Sequence, residues 1–316
     1  RPPIYTLFPY TTLFRSLKLF KDYRNKYPVF TLNTIVANPD FRKIQQSHFR
    51  KYSFELFTKT LENYPKHSKS FHLWQQGINE NVLYPQLHGR EHLQINRWLK
   101  MLQSKSRESI IAFEHELFGI STTITKELRE SYMAAFDADS VAEIKLQKHI
   151  LKDAKLIFDE IFNYSSSSFI APNYIWDKNI EHHLSTLGIK FIQGLSKQQL
   201  PQFTQKKRTT IRHYLGEKNN HGQFHLVRNC FFEPTVHPTK DVVSNCLKQI
   251  QTAFLWRKPA IICSHRLNYI GFIDEGNRVS SLTKLKELLS KILKHWPDAI
   301  FLNSEELGML IEKDKL

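Results

Sequence analysis

A chain of 316 residues with 41% hydrophobic content is long enough to bury a large core, which excludes a disordered polypeptide. Its formal charge of +15 draws anions, yet the lysines are scattered singly, with Lys206–Arg208 as the one basic run, so no nucleic-acid-binding motif or dense basic stripe is present. Three cysteines, Cys230, Cys246 and Cys263, are too few and too far apart for a disulfide framework, and no run of 18 apolar residues marks a membrane span.

Residues 1–16, RPPIYTLFPYTTLFRS, have neither signal-peptide anatomy nor a clear helical period. The stretch TLFPYTTLFRS resembles a translated sequencing adapter, so this segment is expected to be non-native, with targeting information missing and the compartment undecided. Residues 17–316 are expected to form a single domain. From Leu17 onward, short apolar runs alternate with longer amphipathic stretches, the α/β pattern of a parallel sheet or barrel. Strands are predicted at Val29–Val36, Val82–Leu87, Phe169–Ala171, Lys190–Gln193, Phe224–Phe232, Ala260–Ser264 and Ala299–Asn303. Helices are predicted at Ser53–Glu62, Leu93–Gln103, Glu108–Phe118, Val141–Phe162, Asn179–Leu187, Lys240–Phe254 and Leu282–His295, and the serine run Ser165–Ser168 reads as a loop.

Polar residues follow these strands: Asn38 and Asp40, His88, Asn173, Glu233 and His265. In a β/α barrel such positions gather on one rim, where active sites are assembled. In VLYPQLHGREH, Val82–His92, two histidines stand four apart. On a helix that spacing puts both imidazoles on one face, able to hold one divalent metal. The pattern is not that of a zinc protease, because Gly89 follows His88 where a glutamate would be required.

His265 could serve as a general acid, with Arg266 orienting it or binding a substrate oxygen. Asp40 reads either as a substitute ligand or as a helix N-cap, and Glu233 before Pro234 either as a functional carboxylate or as a turn former. Asn173, Tyr174 and Trp176 suit the rim of a sugar-binding cleft, with burial of the aromatic pair in the wall as the competing role.

Taken in order, HGREH, SFIAPNYIWD and IICSHRLN resemble successive blocks of the polysaccharide deacetylase superfamily (NodB-like fold), and Leu17–Leu316 is similar to an uncharacterised bacterial branch of it. The resemblance implies a distorted (β/α)7 barrel, incomplete at the N-terminus, that removes acyl groups, chiefly N-acetyl, from a carbohydrate or polysaccharide. It implies a divalent metal, usually zinc, with His88 and His92 as ligands and His265 as catalytic acid. The family's aspartate pair, a metal ligand and the catalytic base, would precede Leu17 and is absent, so activity is expected to be impaired.

Ala171 stands where the family carries an arginine, leaving Arg228 or Arg266 to stabilise charge. Two alternatives remain at this stage. One is a non-catalytic glycan-binding barrel; the other is a glycoside hydrolase with paired carboxylates such as Asp40 and Glu233.

Overall fold

The computed structural model describes residues 10–65, 67–121, 132–203, 208–271 and 273–314. Residues 1–9 of the adapter-like start, and Lys206 and Lys207 of the basic run, lie outside these.

Five parallel strands form the central sheet: β1 (Phe30–Ile35), β4 (Leu83–Gly89), β5 (Ser168–Ile170), β6 (Phe191–Gly194) and β9 (Phe224–Val227), in that spatial order. Two antiparallel hairpins branch from it, β2 (Ala37–Pro39) with β3 (Phe54–Leu56) and β7 (Lys197–Gln199) with β8 (Thr210–Arg212). Beyond β9 the backbone changes partner. Arg228 N–H still donates to Gly194 of β6, but Asn229 and Cys230 donate to Ile261, and β10 (Cys230–Phe231) runs parallel to β11 (Ile262–Cys263). A single predicted strand, Phe224–Phe232, is thus split where the sheet turns at Arg228.

The first six predicted strands are present within a few residues of their expected limits. The seventh, Ala299–Asn303, makes no ladder: Phe301 N–H donates to the Asp22 carboxylate and Ser304 N–H to the Thr31 hydroxyl. Among the described residues the hydrogen bonds make an open sheet and do not close a barrel.

Helices occupy most crossovers, as parallel pairing requires. Val141–Phe162 and Lys178–Thr186 pack Ile144, Leu151, Phe158, Ile180 and Leu184 against Leu87, Phe169 and Ile192 on one face of the sheet. On the opposite face Phe191 and Leu226 meet Leu307 and Ile311 of helix Ser304–Glu312, which Asn303 and Glu306 close with a capping box. That face also carries a buried polar network. Gln86 Oε1 accepts from the backbone N–H and hydroxyl of Ser168 at 2.8 and 2.6 Å, and Gln193 donates to the same hydroxyl at 2.9 Å. The serine run is therefore no free loop, because Ser166 and Ser168 satisfy amides inside the sheet. Among the described residues no helix is long and apolar enough to cross a membrane.

A helix runs across the expected boundary at residue 16. Helix Tyr10–Leu17 buries Leu13, Phe14 and Leu17 in the cluster that contains Val82, Leu83, Tyr269 and Leu285. Phe14→Ala should therefore cost about 3–5 kcal/mol in urea unfolding, as a core aromatic does; a cost under about 0.5 kcal/mol would show the helix to be dispensable. Gly308 supplies a second check. A Cβ there would lie 2.6 Å from the Phe191 ring, so Gly308→Ala should destabilise by about 1–3 kcal/mol despite its better helix propensity.

Candidate functional site

Parallel strands share one C-terminal edge, and on it stand His88 at the end of β4, the Pro172–Tyr174 turn after β5, Arg228 after β9, Glu233 after β10, and His265 and Arg266 after β11. His88 and His92 do not occupy a helix face. His88 ends a strand and His92 lies in the loop before helix Ile95–Gln103. Between them Gly89, the last residue of β4, has φ 123°, a conformation that strains any residue bearing a Cβ. The ring centroids come to 5.0 Å at 71°.

Hydrogen bonding fixes the His88 tautomer. Its Nδ1 lies 2.8 Å from the carbonyl oxygen of Ile170, an acceptor only, so Nδ1 carries the proton and Nε2 a lone pair. Nδ1 of His92 is buried and has no hydrogen-bond partner among the described residues. Burial above all, then His92, Arg228 and Arg266, holds His88 down to about 3, against the opposing pull of the Ile170 bond. His92 lies at about 4, again chiefly through burial, against the opposing pull of hydrogen bonding to the backbone of His92 itself and of Met133, with Arg266 adding to the fall. Both rings are neutral at pH 7 and keep the lone pairs a metal requires.

Across the edge, His265 is exposed and bound to a carboxylate. Its Nδ1 donates to Glu233 Oε1 at 2.7 Å, and Glu233 also accepts from Asn268 Nδ2 at 2.8 Å. Burial raises the Glu233 carboxyl, but these bonds outweigh it and leave it below the usual range. An ionised Glu233 accepts only, so the proton stays on Nδ1 and Nε2 is left for exchange with a substrate. Arg228 donates to the Tyr174 hydroxyl at 3.2 Å and approaches Cys263 Sγ at 3.4 Å. Its charge and that of Arg266 reach His88, which ties the two halves of the edge together.

Asn173 and Tyr174 hold left-handed backbone at φ 55° and 58°, strain that a packed turn retains beside a site. Asn173 is exposed and Tyr174 half-buried. Trp176, expected at the cleft, is 2% exposed and its indole N–H donates to Glu181, so it belongs to the wall. Asp40, considered as a substitute ligand, instead caps helix Phe41–Gln46 by accepting from Lys43 N–H and pairs with the Lys43 ammonium.

Two further groups escaped sequence reasoning: Glu233, Cys263 and His265, and separately His213, Glu217 and His225, each with one ligand atom per residue within 4.8 Å of the others. Their members come from different strands and turns. The i, i+4 spacing of His213 and Glu217 was the sequence signal for the second group; Glu233 and His265 of the first were read singly, as strand-end residues. Comparison with protein-family models finds no match for the chain, and comparison with curated proteins finds none either.

In metal-free protein the neutral histidines should set an acid-side slope. Unfolded, each titrates near 6.5, whereas folded His88 and His92 wait until about 3 and about 4, so the unfolded state holds more protons below pH 6.5. Stability present above pH 6.5 is lost as pH falls toward 4, at up to about 1.4 kcal/mol per pH unit per histidine. Urea unfolding at pH 7, 6 and 5 should show a shallower fall for His88→Gln/His92→Gln than for the wild type; equal slopes would refute the neutral assignment.

Proposed function

We propose that this chain is a metal-assisted hydrolase of the polysaccharide deacetylase type, removing acyl groups, chiefly N-acetyl, from a carbohydrate. The observation that carries the reading is the His88 bond to Ile170, which leaves Nε2 of a neutral imidazole with its lone pair, beside a His92 whose Nδ1 has no partner among the described residues. Ligating histidines are oriented in this way by a backbone carbonyl or carboxylate behind them. The (β/α)7 barrel is the matching reading of the fold, supported by six parallel segments following one another in chain order.

His88 and His92 fit two positions of a divalent ion such as zinc, and no carboxylate joins them in a three-residue cluster among the described residues. The ion would supply Lewis acidity toward an acyl carbonyl and lower the pKa of water. The protein's own groups would supply proton donation, charge and substrate contacts. Glu233 holds the His265 ring so that Nε2 can pass a proton to the departing amine, and Arg228 and Arg266 place positive charge where an oxyanion develops. Tyr174, fixed by Arg228, and exposed Asn173 line the approach for a sugar. The carboxylate-pair hydrolase is less well supported, because Asp40 is committed to its helix and Glu233 to His265.

Acetate release from N-acetylated chitooligosaccharides, with zinc or cobalt added to chelator-treated protein, tests the proposal. His265→Ala should lower kcat about 100- to 10,000-fold with metal binding retained; His88→Ala should remove metal binding and activity together. Glycan binding without acetate release at any metal concentration would favour the non-catalytic barrel and overturn the hydrolase.

A further inference from the structure

The cluster of His213, Glu217 and His225 lies apart from the edge described above. His225 pairs in register with Ile192 in the β6–β9 ladder, so its side chain shares the face of Ile192, the one covered by helices Val141–Phe162 and Lys178–Thr186. His213 follows β8 and Glu217 closes the next turn, where Gly216 has φ 82°. The turn is sewn to the sheet by Gly216 N–H to His225 carbonyl at 2.9 Å and His225 N–H to Glu217 carbonyl at 2.8 Å.

Donor and acceptor accounting singles out this place. Gln198 Nε2 donates to the Trp176 carbonyl at 2.9 Å, which leaves Gln198 Oε1, an acceptor, facing His213 Nε2 at 2.8 Å. His213 Nε2 therefore carries a proton. In the neutral ring Nδ1 then directs a lone pair at Glu217 Oε2, 2.9 Å away, and that carboxylate already accepts from Tyr214 N–H. Two acceptors at this distance need a cation between them. A second observation comes from His225, 3% exposed, whose Nε2 has no hydrogen-bond partner among the described residues. A buried imidazole with an unused nitrogen is costly unless something binds it.

We infer that His213 Nδ1, the Glu217 carboxylate and His225 form a second divalent-cation site, suited to zinc by its two imidazoles and one carboxylate. A tetrahedral zinc with bonds of about 2.1 Å holds its donors about 3.4 Å apart, so the His213–Glu217 gap widens by a few tenths of an ångström. The imidazoles are stacked at 3.8 Å and 12°, and stacked rings cannot both aim a nitrogen at one ion, so His225 turns out of the stack on binding. The Glu217 side chain is 25% exposed and gives the ion a way in. The site cross-links the β7–β8 hairpin to β9, in a crossover of the five-stranded sheet that carries a hairpin and no helix among its described residues.

The test uses the full chain as His88→Gln/His92→Gln/His265→Gln, which silences the edge. Zinc titration of the chelator-treated variant should give one equivalent bound, with the unfolding midpoint raised by about 5 °C at zinc 100-fold above Kd. Adding Glu217→Gln at its half-exposed turn should weaken Kd at least about 10-fold and remove the thermal shift; cobalt should give a tetrahedral visible band that the same change abolishes. Should the triple variant fail to fold, Glu217→Gln alone should lower the zinc stoichiometry of the otherwise unaltered chain by one. Absence of zinc binding, or an affinity indifferent to Glu217→Gln, would overturn the site and point to a second proton on His213 as the cation. Because the edge histidines are replaced, failure here leaves the hydrolase proposal standing, and the converse also holds.

Discussion

The hydrogen bond from His88 to the Ile170 carbonyl is the constraint on which the candidate site rests. It spans the ends of two adjacent parallel strands, so the sheet itself sets the tautomer and direction of the ring. Nothing local to residues 88–92 could do this, since Gly89 frees the backbone between the two histidines and leaves their relation to be fixed from outside. If β4 and β5 slipped by one residue, the carbonyl would point to the other side and His88 would lose its orientation.

Electrostatics at the edge are divided between its two halves. On one side, buried imidazoles stay neutral because burial and nearby guanidinium groups both disfavour a proton. On the other, an ionised glutamate holds an exposed imidazole whose outer nitrogen meets solvent. The proposed reaction needs unprotonated metal ligands and an exchanging proton donor, and the difference in burial between the two halves would suit both demands. Arg228 links them, at the residue where the sheet turns from β6 toward β11.

The buried polar groups fall into two kinds. Gln86, Ser166, Ser168 and Gln193 satisfy one another inside the sheet and act as structure. His92 and His225 each keep a buried nitrogen without a partner among the described residues, and each sits beside another imidazole. An unmet hydrogen-bonding group costs stability in the folded protein, and in these two histidine pairs that cost is one ground for the binding sites proposed above.

Much of the scaffold was legible from the chain alone. Apolar runs of strand length marked seven segments, six of which pair in parallel, and the amphipathic period of Val141–Phe162 set that helix to the residue, because alternation and periodicity are local properties. The residues at the strand ends, His88, Asn173, Glu233 and His265, were legible for the same reason, whereas Arg228 lay inside a predicted strand. Tertiary structure alone decided how those ends use their side chains: Glu233 beside His265 across 32 positions, Trp176 turned into the wall, Asp40 spent on a cap, and His213 stacked on His225. It also decided that Ala299–Asn303 stays unpaired, since a strand exists only where a neighbour offers a ladder. Local sequence records what a segment can become; which side chains meet depends on sheet register and loop closure over long separations, and no window of sequence contains either.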